Sequence, residues 1–260
     1  MTASWRFAAT SVAGPRHAEA GEPCQDSHVV KVTDSGALIA VVSDGAGSAA
    51  FGAEGAALIC DRVAARLQVA LDWGFARNCS RAMLAGACRG VRDAVVDARA
   101  NLTALATERG AAIGDFHATL VGVALLPGRG GISFHIGDGA ALAVAADSRW
   151  QLSPPANGEY ADTTYFYTEP GWRSRLRFRR IEPGFETVFV MTDGVTDLAL
   201  SKQGARSEPH MPFFDPIARF LTGASREEGE RALHATLDSP TMRERTSDDK
   251  TLVWASAVAP

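Results

Sequence analysis

The sequence predicts an α+β layered fold, and three observations carry that prediction. Apolar β-type runs come in clusters instead of alternating one by one with helices. Two long stretches with helical periodicity stand together between those clusters. No shift in composition marks a linker, so the 260 residues, 46% of them hydrophobic, are read as one domain, 1–260, with enough apolar surface for a sizeable core.

Short β-type runs open the chain at about Trp5–Val12, Ser27–Val32 and Ala37–Ser43. A helix is predicted over about Ala53–Trp73, where Ala56, Ile59, Val63, Leu67 and Leu71 recur at helical spacing. A second, rich in Ala and Arg, spans about Ser80–Glu108, with Gly110 as its stop. Strands return at Ala118–Leu126, Gly131–Ile136, Ala140–Ala145, Arg149–Leu152 and Glu186–Thr192, the first two joined by the hairpin turn Pro127-Gly-Arg-Gly-Gly131. The irregular stretch Ser153–Gly171, broken by Pro154-Pro155 and Asn157-Gly158, is long enough to be a functional loop. Helices follow at about Pro212–Leu221 and Arg226–Leu237, the latter introduced by the capping-box spacing Ser225-Arg-Glu-Glu228. A last strand is placed at Thr251–Ala257.

A net charge of −4 and the lack of polybasic tails argue against a nucleic-acid or anionic-membrane partner. The opening Met1–Phe7 has neither the basic nor the apolar region of a signal peptide, and no run of about 18 apolar residues is present. Cys24, Cys60, Cys79 and Cys88 form no C-x-x-C pair and read as reduced thiols, so a cytoplasmic location is expected.

Two of the apolar strands end in the same pattern. Ala37–Val42 runs into Ser43-Asp44-Gly45, and Thr187–Met191 into Thr192-Asp193-Gly194. A strand fixes the carboxylate, and the glycine lets backbone approach an ion, which suits a hard cation. Asp26 after Cys24-Gln25, Asp138 in Gly137-Asp-Gly139, and Asp248 in Ser247-Asp-Asp-Lys-Thr251 complete a set of five. Two divalent ions would be neutralised by roughly four carboxylates, each ion needing only one or two of them. Such a pair activates a water for direct in-line attack on phosphorus, with no covalent phosphoenzyme.

Taken in order, Gln25-Asp26, Ser43-Asp44-Gly45, Gly137-Asp138-Gly139, Thr192-Asp193-Gly194 and Asp248-Asp249-Lys250-Thr251 resemble the motifs of the metal-dependent, type 2C serine/threonine protein phosphatases, and most closely a divergent bacterial branch. The resemblance runs from about Ser11 to Trp254. It implies a central antiparallel β-sandwich flanked by helix pairs on both sides, a four-layer αββα arrangement. It also implies a centre of two, or with Asp138 three, Mn²⁺ or Mg²⁺ ions. Asp44 would bridge the metals, the Gly45 carbonyl would ligate one, Asp193 and Asp248 would hold the other, and Asp26 would support them. The implied substrate is a phosphoserine or phosphothreonine protein, the implied partner a kinase or its target, and a monomer is expected.

The sequence departs from the family at four places. Gln25 replaces an acidic residue, and Gly21 stands where an arginine grips the substrate phosphate. Gly139-Ala140 replace Ser-Arg, and Asp249 replaces Asn. The metal set is intact, so the phosphate grip falls to His17 or, as a bidentate fork, Arg16. Two other functions fit less well: a catalytically weak regulatory module binding a phosphoprotein or kinase, and a hydrolase of small phosphates.

Some patterns read as structure. His28, His117, His135, His210 and His234 lack ligand spacing. Asp197 reads as a helix cap. Cys60 and Arg66 have the C-x5-R spacing of thiol phosphatases but fall inside a helix without a phosphate-cradling loop. Arg173, Arg175, Arg177 and Arg179 alternate, which on a strand puts four guanidinium groups on one face. That face is either a solvated edge strand protected against aggregation or a docking strip for acidic phosphoprotein.

Overall fold

A computed structural model describes residues 4–76, 80–126, 128–156, 164–203 and 206–258. Cys79, Pro127 and the Asn157-Gly158 breakers lie outside them.

The chain opens with β1 (Ser4–Val12), α1 (Pro15–Ala20), β2 (Ser27–Val32) and β3 (Leu38–Ser43). Two long helices follow, α2 (Gly52–Ala76) and α3 (Ser80–Arg109). Gly110, at φ +66°, ends α3 in the left-handed conformation that glycine adopts without strain. A 3₁₀ turn at Ile113–Phe116 leads to β4 (Leu120–Leu126), β5 (Gly130–Ile136), β6 (Ala140–Ala145) and β7 (Trp150–Ser153). Then come α4 (Trp172–Arg175), β8 (Arg177–Ile181), β9 (Phe185–Met191) and α5 (Asp193–Ala199). A small hairpin, β10 (Leu200–Gln203) with β11 (Arg206–Pro209), precedes α6 (Met211–Gly223), α7 (Arg226–Leu237), α8 (Pro240–Arg245) and β12 (Lys250–Val258).

Two five-stranded antiparallel sheets face each other, ordered β2-β3-β4-β5-β8 and β1-β12-β9-β6-β7. Between them pack Val42, Val121, Val123, Val188, Val190 and Val253. The outer face of the first sheet carries α2 and α3 through Ile59, Val63, Leu67, Val91 and Val95. The outer face of the second carries α6 and α7 through Phe214, Leu221, Leu233 and Leu237. With an apolar seam on both faces of each sheet, β3 and β4 read as continuous buried runs. The predicted four-layer αββα arrangement is the observed one.

Among the described residues no helix is long and apolar enough to cross a membrane. The Ser225 capping box forms, Ser225 Oγ accepting from Glu228 N. α1, α8 and the β10–β11 hairpin escaped the sequence reading because they are short and lack an apolar period, and α4 because it falls inside the arginine alternation. Asp197 lies within α5 and does not cap it; Thr192 occupies the N-cap. The arginine strip does not exist as one strand face. Trp172 is buried, and Leu176 N donates to Trp172 O, closing a helical turn over Trp172–Arg175, so only Arg177 and Arg179 share β8.

Candidate metal centre

The five aspartates sit where strands of both sheets end. β3 delivers Asp44, β5 leads to Asp138, β9 to Asp193, and Asp248 stands two residues before β12. Each of Asp44, Asp138 and Asp193 offers an oxygen within 4.8 Å of the others. Asp26, on the approach to β2, lies deeper and is 8% exposed. Asp248 is exposed, and its charge reaches Asp44, Asp138 and Asp193.

Hydroxyls around these positions hold the Asp26 carboxylate and the Asp44 backbone in place. Thr192 Oγ1 donates to Asp26 Oδ2 at 2.7 Å while accepting from Thr251 N at 2.9 Å, tying β9 and β12 to the Asp26 segment. Thr119 Oγ1 accepts from Asp44 N at 2.9 Å, and Ser43 Oγ donates to Thr119 O. Gly45 and Gly194 are required by close approach. A Cβ on Gly45 would lie 2.4 Å from the Gly52 carbonyl carbon, and one on Gly194 would lie 2.0 Å from Asp249 O.

Burial, followed by mutual repulsion, raises the carboxyl pKa values. Asp44 is pushed well up by desolvation and then by Asp26, Asp248 and Asp138. Asp193 is raised by desolvation, Asp44, Asp138 and Asp248. Desolvation takes Asp26 to about 8, opposed by the hydroxyls of Thr192 and Thr251. Asp138 is raised by desolvation, with the charge of Asp248 adding to it. Asp26 Oδ1 and Asp138 Oδ1 are buried without a hydrogen-bond partner. The one lysine at hand, Lys250, directs Nζ to Asp248 O at 3.0 Å. An all-oxygen set with unspent buried lone pairs and crowded negative charge fits hard divalent cations.

A stability prediction follows from these shifts. A carboxyl whose folded pKa is raised holds its proton longer in the fold than in the unfolded chain, so its contribution is lost as pH rises. Half-buried His28 and His117 and buried His135 have lowered pKa values and act oppositely, but only below about pH 6.5. In chelator, the melting temperature is therefore expected to fall between about pH 6.5 and 8, and added Mn²⁺ is expected to reverse the fall. Thermal unfolding measures this; a melting temperature that rises across that window in chelator contradicts it.

Asp249, 1% exposed, organises the wall beside the centre. Its Oδ1 accepts from Gly14 N at 2.7 Å and from His17 Nδ1 at 2.8 Å, and its Oδ2 accepts from Gln25 N at 2.5 Å. A carboxylate can only accept here, so His17 Nδ1 is the donor and Nε2 is its remaining ring nitrogen. Gly21 does not carry the family's arginine because it closes α1 at φ +70°. That helix brings His17 to Asp249, while Arg16 is exposed. The Thr-Asp-Gly and Asp-Asp-Lys-Thr motifs pointed to Thr192, Thr251 and Asp249 only as neighbours. Thr119 gave no sequence signal at all, since its partner Asp44 is 75 residues away.

The thiol alternative has no geometry behind it. Cys60 is buried in α2 with its pKa pushed up, chiefly by desolvation, and Arg66 is paired with Asp97. His28 and His135 bond to Ser11 and Ser153, and His117 bonds to Thr168.

A family model described as Protein phosphatase 2C matches residues 13–238. Serine/threonine-protein phosphatase 3 of Escherichia coli (strain K12) is 32% identical over 264 residues, spanning 97% of this chain and 98% of that one. Among solved structures, PppA of Pseudomonas aeruginosa, described as a key regulatory component of T6SS, superposes with a TM-score of 0.64 at 15% identity over 99% of both chains. Serine/threonine phosphatase Stp1 of Staphylococcus aureus gives a TM-score of 0.58 at 15% identity, over 100% of this chain and 96% of that one. These two likenesses are of fold.

Proposed function

Since the chain belongs to the protein phosphatase 2C family, we propose that it hydrolyses phosphoserine and phosphothreonine in proteins, using Mn²⁺ or Mg²⁺ held by Asp44, Asp193 and Asp248. It is a protein phosphatase of a metal-dependent family. The observation that carries the metal assignment is the convergence of Asp44, Asp138 and Asp193 within 4.8 Å, with buried oxygens left without partners.

Asp44 and Asp193 are the central carboxylates, Asp138 and Asp26 support them, and Gly45 allows its carbonyl to come close. Bound divalent cations supply an activated water and neutralise charge during phosphoryl displacement. The chain's own residues set the frame for that chemistry. Thr192 fixes the direction of the Asp26 carboxylate, Thr119 pins the backbone of Asp44, and the Asp248 carbonyl is anchored by Lys250 Nζ. Asp249 orients His17 through Nδ1, leaving Nε2, 3.9 Å from Glu22 Oε2, to donate to a substrate phosphoryl oxygen when the ring carries its second proton, the role that Arg16, exposed and unanchored, would fill less well. The whole chain acts as one domain in this reading.

The test is hydrolysis of a phosphothreonine peptide with Mn²⁺, with Mg²⁺ and with chelator. Turnover with metal and none with chelator is expected. A folded protein without turnover under any metal would make the chain a regulatory module instead.

A further inference from the structure

The arginines beside the centre have a use that the hydrolytic chemistry does not require. Between Glu169 and Glu182 the chain carries Arg173, Arg175, Arg177, Arg179 and Arg180 and no acid, in a protein whose net charge is −4. Their position follows from the sheet register. β8 pairs with β5 so that Arg177 lies opposite His135, three residues before Asp138. The helical turn α4, which precedes β8, therefore sits at the same end of the sheet as the carboxylates.

Local contacts shorten the path. Thr164 lies beside Asp138, close enough to act on its carboxyl. Its neighbour Tyr165 places its carbonyl oxygen 3.3 Å from where a Cβ on Gly137 would be. The guanidinium carbon of Arg175 stands 3.8 Å from the centre of the Tyr165 ring. Arg173 likewise stacks on Trp172, at 4.6 Å. Both arginines are exposed.

Stacking uses the face of a guanidinium and leaves its in-plane N–H donors free, which is the geometry that binds carboxylates in a bidentate fork. Neither Arg173 nor Arg175 forms an ion pair among the described residues. Arg180 is paired with Glu182, and Arg177 is half-buried and donates to Pro154 O. Arg99, close enough to Arg173 to feel its charge, is occupied by the carbonyls of Tyr167 and Glu169. The nearest acid in sequence, Glu169, turns its carboxylate to Phe166 N. Two pre-ordered cations are thus left with unspent donors.

We propose that Arg173 and Arg175 form a docking shelf for acidic residues flanking the phosphoresidue of the protein substrate. The proposal rests on the phosphatase reading and names the substrate class it prefers. It also replaces the strand-face strip expected from the sequence: the pair on α4 docks substrate, while Arg177 and Arg179 belong to the edge strand β8.

The experiment compares wild type with Arg173→Ala/Arg175→Ala on three substrates in Mn²⁺: an aryl phosphate, a phosphothreonine peptide flanked by Glu, and the same peptide flanked by neutral residues. For two exposed pairs, kcat/KM on the acidic peptide is expected to fall about five- to thirtyfold, mainly through KM. The aryl phosphate and neutral peptide should change less than about twofold, and raising the salt should erase the wild-type preference. Equal losses on all three substrates, or no loss on the acidic peptide, would overturn the shelf while leaving the phosphatase standing. A wild type that hydrolyses none of them removes both.

Discussion

Asp44→Asn is expected to lower metal-dependent hydrolysis of a phosphothreonine peptide at least about a hundredfold, because several kcal/mol of transition-state stabilisation would depend on the cations proposed to bind it. The same substitution should not harm the metal-free fold. Asp44 is half-buried among Asp26, Asp138 and Asp248, all of which push its pKa up, so a neutral amide of equal size relieves repulsion. Its backbone N–H keeps its bond to Thr119 Oγ1. Activity lost together with an unchanged or higher melting temperature in chelator separates a metal ligand from a structural carboxylate. A variant that melts lower and keeps its turnover per folded molecule contradicts the assignment.

Asp249→Ala is expected to cost about 10- to 100-fold in kcat/KM, the usual range for a residue that orients the groups around a metal site. Three donors lose their acceptor at once, those of Gly14, His17 and Gln25. Two of these are backbone groups near the centre, so Asp249→Ala should also destabilise the fold, and Asp249→Asn is the informative companion. Its carbonyl oxygen can still accept from His17 and Gly14, but its amide N–H groups face Gln25 N and cannot accept. An intermediate loss is expected for Asp249→Asn, expressed as a raised KM for phosphopeptide with Mn²⁺ affinity within a few-fold of wild type. If both variants lost activity only in proportion to unfolded protein, with KM unchanged, Asp249 would be a purely structural residue.

The residues that could be read from the sequence were those whose chemistry coincides with a local pattern. Asp44 and Asp193 each end an apolar strand and precede a glycine, so composition and position speak together. The long helices α2 and α3 carry an unbroken apolar stripe, from Ala56 to Leu71 in the first, and their limits were readable to within a few residues. The helix α1 was not readable, because six residues between Gly14 and Gly21 contain no apolar period and none is buried. The role of Asp249 depends on partners that the chain brings from 224 to 235 residues away, which no local window contains. The arginine alternation misled for a different reason. A period of two fits a strand, yet burying Trp172 took precedence and wound its first half into a helical turn.

The central claim is that the carboxylate cluster is a catalytic metal centre. A Mn²⁺ titration of wild type and Asp44→Asn by calorimetry, with peptide hydrolysis followed in the same samples, tests it most directly. At least two ions should bind each wild-type chain, turnover should rise with their occupancy, and both should be lost in the variant. A wild-type protein that binds no Mn²⁺, or that hydrolyses the peptide as fast in chelator as in metal, would contradict it.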